Sequence, residues 1–204
     1  MTERYQRVRM DDLRHMKLFE KAKNQEKMIK LYNNNEMSKE YASKLYWDLM
    51  DNSHWTFTGR TGYPDEPFTH WTCQAHSDKY TYDRCMEVFV EKLRGLFEKE
   101  TGHELDMYNI LVTQFNHGES SWLHQDLSND YTCVLYANPE WDINWGGFTI
   151  FTNDTKDIID FTSYPKCGTF IFFDAHIWHG PTAVGREAKA PRMGITYQMK
   201  RKQT

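Results

Sequence analysis

From Leu105 onward the chain is a succession of short runs rich in β-branched and aromatic residues, each closed by a turn signal. The runs are MYNILVTQF (107–115), TCVLY (132–136), FTIF (148–151), DIIDF (157–161), TFIFF (169–173) and MGITYQM (193–199). Their composition favours strands, and their brevity excludes helices of ordinary length. Asn116–Gly118, Asn138-Pro139, Gly146-Gly147, Tyr164-Pro165 with Gly168, and Gly180-Pro181 separate them. At least six short strands at this spacing suit a barrel or a double-sheet jelly roll.

Helical patterns are confined to the first half. Ser38 is placed as an N-cap, and Tyr41, Leu45 and Leu49 follow at i, i+4 and i+8, which predicts an amphipathic helix over 39–50. A second helix is expected from Asp83, with Met86, Phe89, Val90, Leu93 and Phe97 on one face, ending near Gly102. Between them, residues 53–82 are rich in Trp, Thr, Gly, Pro and His and read as loops with short extended pieces. The first 35 residues are dense in Lys, Glu, Gln and Asn. Leu13, Met16 and Leu18 through Met28, Ile29 and Leu31 fall loosely at helical spacings, as in a surface helix or an arm. The expected architecture is α+β, with N-terminal helices packed on an all-β core. Residues 1–104 would form a helical and aromatic-loop support region and 105–204 the core, in one structural unit.

Composition narrows the function classes. The 204 residues carry 25 Lys plus Arg against 29 Asp plus Glu, a net charge of −4, which disfavours a protein devoted to gripping phosphate backbones. Aromatics reach 15 %, which argues against disorder. No long apolar window appears and the N-terminus is charged throughout, so neither a membrane span nor a signal peptide is expected. Four scattered cysteines without C-x-x-C predict a reducing, cytoplasmic setting.

The chemistry concentrates in the strand-rich half. His124 and Asp126 form H-x-D, and two residues apart on an extended chain they point to the same side, where both can bite one metal ion. After the strand TFIFF comes Asp174-Ala175-His176-Ile177-Trp178-His179-Gly180, which offers a second histidine. Two imidazoles and one carboxylate make the facial triad that holds non-haem Fe(II) with three positions open. Arg192 opens the strand MGITYQM, where a cation can pair with a dicarboxylate beside the metal.

Residues 107–199 resemble the iron- and 2-oxoglutarate-dependent dioxygenases, in particular their prolyl 4-hydroxylase-like branch. The matching text is FNHGESSWLHQD (115–126), TCVLYANPEWD (132–142), GGFTIF (146–151), HGPTAV (179–184) and RMGITY (192–197). The resemblance implies a double-stranded β-helix core, a jelly-roll (cupin-like) variant. It implies Fe(II), 2-oxoglutarate and O2 as cofactor and cosubstrates, with ascorbate an optional addition. His124, Asp126 and His179 would be the metal ligands and catalytic centre, with Arg192 pairing the distal carboxylate of 2-oxoglutarate. Tyr136 would add a hydroxyl to that carboxylate, and Thr149 would line the cosubstrate pocket. His179 is preferred to His176 because Gly180 and Val184 follow it as in the family, and Arg192 to Arg186 because Arg186 lies in a polar loop. Two departures stand out: Phe115 occupies a place where a tyrosine is common, and Trp122 is one residue away from where a second aromatic is usual.

The implied reaction is hydroxylation of a substrate C–H with release of succinate and CO2. The substrate would be a peptide prolyl residue, an amino acid or a small metabolite, and Trp55, Arg60, Tyr63, Phe68 and Trp71 fall where related enzymes build the substrate side. The alternatives are a catalytically silent metal- or 2-oxoglutarate-binding module, a zinc hydrolase, and a nucleic-acid demethylase of the same superfamily. The last usually carries a further arginine six residues after the first, where this chain has Gln198. Nucleic acid is therefore the less favoured partner. A membrane is not expected as one, and the chain would be a monomer or homodimer.

Overall fold

A computed structural model describes residues 27–33, 35–59 and 66–203. The helix or arm expected before residue 27, and Arg60 and Tyr63, lie outside the described residues. In chain order the elements are β1 (Ile29–Tyr32), α1 (Lys39–Asn52), β2 (Thr56–Gly59), β3 (His70–Gln74), α2 (Lys79–Val88), α3 (Arg94–Thr101) and β4 (Leu105–Phe115). Then follow β5 (Tyr131–Tyr136), β6 (Thr149–Thr152), β7 (Ile159–Ser163), β8 (Phe170–Asp174), β9 (Trp178–Pro181) and β10 (Arg192–Arg201). The fold is α+β, as expected. A seven-stranded sheet in the order β1-β8-β5-β10-β4-β3-β2 faces a three-stranded sheet in the order β7-β6-β9, and every neighbouring pair is antiparallel. Together they form a core of the double-stranded β-helix kind.

The period-2 alternation of the large sheet decides what each face becomes. On β4, β5, β8 and β10, one set of residues (Ile110, Val112, Cys133, Leu135, Phe170, Phe172, Met193, Ile195, Tyr197 and Met199) packs into the main apolar cluster with Leu45, Leu49, Phe89 and Phe97 of the helical layer. Phe97 stacks flat on Phe172 at 4.1 Å, and the Tyr197 hydroxyl donates to the Cys85 carbonyl at 3.2 Å. The residues between them face the small sheet: Val134, Tyr136, Ile171 and Phe173 pack with Phe151 of β6.

The helices begin and end where local chemistry permits. The Ser38 hydroxyl accepts from the Tyr41 N–H at 3.2 Å, capping α1 as expected. The second helix starts four residues before the expected Asp83, because Asp78 accepts from the N–H groups of Tyr80 and Thr81. It is also not uniform, since a π-helical turn over Phe89–Leu93 joins α2 to α3. Cys85, Phe89, Leu93 and Phe97 recur every four residues and are all buried. A pure 3.6-residue helix would rotate such a row steadily off the sheet, and the wider π turn takes up that drift. Gly102 closes α3 in the left-handed region at φ 70°, with its N–H on the Glu98 carbonyl.

Four expectations need correction. Ile29 and Leu31 are not helical: they belong to β1, paired from Ile29↔Phe173 to Tyr32↔Phe170. The edge of β8 offers a full backbone ladder, and Tyr32 stacks on Phe170 at 4.8 Å, which a weak helical pattern cannot match. The stretch 53–82 contains its expected short extended pieces, β2 and β3, which join the large sheet through the pairing of β3 with β4, but its last four residues are helical rather than loop. The strand expected at 157–161 lies two residues later, after a turn in which the Asn153 side chain accepts from the N–H groups of Asp157 and Ile158. Finally, Gly180-Pro181, expected as a turn, closes a strand, Trp178–Pro181, which pairs with β6 from Thr152↔Trp178 to Thr149↔Pro181. All four cysteines are buried free thiols, and among the described residues no helix is long and apolar enough to cross a membrane.

Candidate metal and anion site

The two sheets leave a cavity of about 170 Å³ between them, and the residues singled out for chemistry converge there. His179 lies on β9 and reaches the cavity beside Phe151 and Phe173. His124 lies in the extended segment between β4 and β5. The two histidines exchange backbone hydrogen bonds, from the His124 N–H to the His179 carbonyl at 2.8 Å and back at 2.9 Å. The main chain thus sets their rings side by side, 4.4 Å between centroids. Asp126 follows two residues on, its N–H donating to the Ala175 carbonyl at 2.8 Å.

The donor atoms of these three side chains all lie within 4.8 Å of one another. His124 Nε2 is 3.9 Å from one Asp126 oxygen, and His179 Nε2 is 3.8 Å from the other. Both Nδ1 atoms are engaged elsewhere, with the Trp122 carbonyl and the Ile177 carbonyl, each at 2.9 Å. A carbonyl can only accept, so both rings carry a proton on Nδ1 and turn Nε2 toward Asp126. Burial holds His179 well below the usual histidine range, the neighbouring His124 pushes it the same way, and Asp126 opposes both. A neutral imidazole is the form that ligates. Asp126 is itself steadied by the Thr132 hydroxyl, which donates to it at 2.6 Å.

At the other end of the cavity sits Arg192, 3 % exposed. Its Nε donates to the Gly147 carbonyl at 2.6 Å and an Nη to the Thr149 hydroxyl at 2.9 Å, while its guanidinium lies over the rings of Tyr136 and Phe115. No carboxylate forms an ion pair with it among the described residues. A buried cation without a counter-charge is costly, and an anion in the cavity would relieve that cost. The Gly146-Gly147 pair makes the approach feasible. Gly147 has φ 68° and a Cβ there would come within 3.0 Å of the Arg192 stem, while one on Gly146 would strike the Ala183 carbonyl at 2.6 Å.

Thr149 oxygen accepts from Arg192 and also from the Tyr136 hydroxyl at 2.8 Å. Both lone pairs are then used, and its own proton is left to serve a cavity ligand. Tyr136, fully buried, does not line the cavity and stands one step behind Thr149. Its hydroxyl is spent on Thr149, which itself lines the cavity. Of the rejected alternatives, His176 lies exposed on the β8–β9 turn and Arg186 is exposed in a loop, so neither is placed with the three donors.

Three participants escaped the sequence reading. Thr132 was seen only as a strand residue, although a hydroxyl six residues after Asp126 on a buried strand was a usable signal. Glu66 is 2 % exposed and accepts from the Trp122 N–H at 3.0 Å, just before the His124 segment. His70, 4 % exposed on β3, lines the cavity itself, and burial brings its pKa down to about 4.

No protein-family model matches the chain, and no curated protein matches it in sequence. Solved structures do match its fold. An oxidoreductase of the 2OG-Fe(II) oxygenase family from Burkholderia pseudomallei superposes with a TM-score of 0.68 at 11 % identity, covering 98 % of this chain and 95 % of its own. A prolyl-4-hydroxylase from Pseudomonas putida gives 0.63 at 14 % identity, covering 86 % and 93 %. The non-heme alpha ketoglutarate dependent epimerase from nogalamycin biosynthesis gives 0.65 at 13 % identity, covering 94 % and 84 %. The chain thus has the fold of the 2OG-Fe(II) oxygenases along nearly its whole length.

Proposed function

We propose that the protein is an Fe(II)- and 2-oxoglutarate-dependent dioxygenase that hydroxylates a substrate C–H. The observation that carries this reading is the pairing of two features in one small cavity: a His-Asp-His donor set and a buried arginine that has no acidic partner among the described residues. The fold likeness supports the same class. A zinc hydrolase would account for the donor set and leave Arg192 without a purpose.

The residues fit the groups the fold implies. His124, Asp126 and His179 would hold the ion through two neutral Nε2 atoms and a carboxylate, on one side of its coordination shell. Arg192 and Thr149 would hold the distal carboxylate of 2-oxoglutarate. Thr149 pairs with Pro181, two residues from His179 along β9, so Thr149 and His179 are diagonal neighbours about 7–8 Å apart across the strands, a span suited to a five-carbon diacid. Bound iron would supply O2 activation against 2-oxoglutarate, yielding succinate, CO2 and the hydroxylated product. The chain's own part is to leave coordination positions open, to orient the diacid by a charge-assisted bond and to keep water from the reacting atoms with the apolar walls Leu111, Phe115 and Val134.

The substrate would approach over a surface groove of about 530 Å³ lined by Phe68, Trp122, Ile150, Lys156 and Thr182, which shares Ser121 and Pro181 with the inner cavity. An approach of this shape supports an elongated substrate, such as a peptide segment, over a fully enclosed small metabolite.

Succinate release from 2-oxoglutarate in the presence of Fe(II), O2 and a substrate panel tests the reading. The parent is expected to turn over, and His124→Ala, Asp126→Ala and His179→Ala are expected to lose iron and, with it, at least about a thousandfold in rate. Retention of both iron and turnover in all three variants would falsify the ligand assignment. Metal and 2-oxoglutarate binding with no succinate under any condition would favour the silent binding module instead.

A further inference from the structure

Among the polar side chains that line the cavity beside the metal donors and Arg192 is a buried imidazole, His70. In the register of the large sheet, Arg192 of β10 stands opposite Phe115 of β4, and Trp71 of β3 stands opposite Gln114. Continuing that register by one residue sets His70 opposite Phe115. Arg192, Phe115 and His70 therefore form a row across three adjacent strands, all three lining the cavity. The imidazole lies nearly flat on Phe115, 4.4 Å between centroids at 30°, and the guanidinium carbon is 5.6 Å from the same ring. Phe115 thus carries both the guanidinium and the imidazole against its ring.

His70 is held in place without being satisfied. Its Nδ1 is buried and has no hydrogen-bond partner. On its other side β2 presses backbone against the ring: a Cβ on Gly59 would fall 2.5 Å from His70 Nε2 and 2.6 Å from Cδ2. Gly59 pairs with His70 in the β2–β3 ladder, so any side chain there would displace the ring. Glycine at 59 therefore allows the imidazole to keep its place against Phe115. Native structures seldom leave a buried polar atom unmatched, and among the described residues that do so His70 is the one that lines the cavity. His70 lines the same cavity as the metal donors His124, Asp126 and His179 and the anion anchor Arg192.

We infer that His70 is a further binding residue for the anionic cosubstrate, donating a hydrogen bond to a carboxylate of 2-oxoglutarate held between the metal and Arg192. This rests on the oxygenase reading. His70 is neutral, since burial outweighs the pull of Glu66, and a neutral imidazole has one N–H to give and needs no counter-ion. A hydrogen bond to a carboxylate is of the stronger, charge-assisted kind.

The test is 2-oxoglutarate binding to the Mn(II)-loaded full chain under anaerobic conditions, by calorimetry, with His70→Phe and His70→Gln beside the parent. His70→Phe keeps the stack on Phe115 and removes the nitrogen. It is expected to weaken binding roughly tenfold or more, as for loss of a bond to a charged group. His70→Gln, which retains an N–H, is expected to recover part of that loss. Binding by His70→Phe within about twofold of the parent overturns the inference. Failure of the parent itself to bind 2-oxoglutarate overturns the oxygenase reading instead, which separates the two. Should His70→Phe not fold, the ring-nitrogen NMR shifts of His70 in the parent with Zn(II) decide: a displacement on adding 2-oxoglutarate is expected, and unchanged shifts refute the contact.

Discussion

The two faces of β10 use neighbouring residues for opposite ends. Met193, Ile195, Tyr197 and Met199 go into the apolar cluster beneath the helices, each fully buried. Arg192, Thr196 and Gln198 line the cavity, with Gly194 between them on the same face. One face gains stability by burying apolar area, and the other gives some up by keeping polar groups ready for ligands. A slip of one residue in register would exchange the two sets, so pairing with β4 and β5 on both sides secures the site as well as the sheet.

The sharpest break in that comparison comes from the apolar face. Phe172→Ala removes the partner on which Phe97 stacks, and it should cost about 3–5 kcal/mol in urea unfolding, as large-to-small core changes do. Metal affinity of the folded fraction should hold within about threefold. A large loss of metal binding at full foldedness would show that the faces are coupled.

Arg192→Met is the converse experiment. It should weaken 2-oxoglutarate binding by about a hundredfold, while stability measured without the diacid rises by about 1 kcal/mol, because an unpaired buried charge is replaced by an apolar chain. A stability loss would mean that the bonds to Gly147 and Thr149 outweigh desolvation.

Thr132→Val leaves the strand intact and takes away the hydroxyl on Asp126. Metal affinity should fall about tenfold, the lower end for loss of an outer partner, with little change in unfolding free energy.

The smallest effect is in pH. His70 has a folded pKa of about 4 against an ordinary 6.5, so between those values the unfolded chain binds the extra proton and the folded chain does not. Stability contributed by the neutral ring is present above about 6.5 and is lost as pH falls toward 4. His179 acts in the same direction. Thermal melting of metal-free protein should therefore decline over that interval, and less steeply in His70→Phe than in the parent. Identical slopes would count against a neutral, buried His70.

What could be read from the sequence follows the same division. The apolar alternation of the core strands and the α1 cap are local signals, and they announced an α+β chain with helices on one side. H-x-D is also local, and the order of the later motifs picked out His179 over His176. Features that depend on distant partners were not legible. Ile29–Tyr32 becomes a strand only because β8 offers an edge, and β9 only because β6 does. His70 lies 54 residues before His124 in a stretch of mixed composition, and nothing near it in sequence indicates that β3 will lay it on Phe115. The bond from the Tyr136 hydroxyl to Thr149 is likewise formed only once β6 is laid across β5, and no local pattern announces it.

The reciprocal backbone bonds between His124 and His179 also make the donor pair a clasp. The chain between them includes β5 through β8, so a divalent ion seated on both side chains would close that entire segment into a ring, as a covalent cross-link does. Because the main chain already holds the ends together, little ordering entropy would remain to be lost when the ion arrives. Chelation should then behave as the cutting of a staple: the metal-free chain keeps its shape, unfolds at a lower temperature and recovers on adding metal, with a shift that grows with the logarithm of free ion concentration.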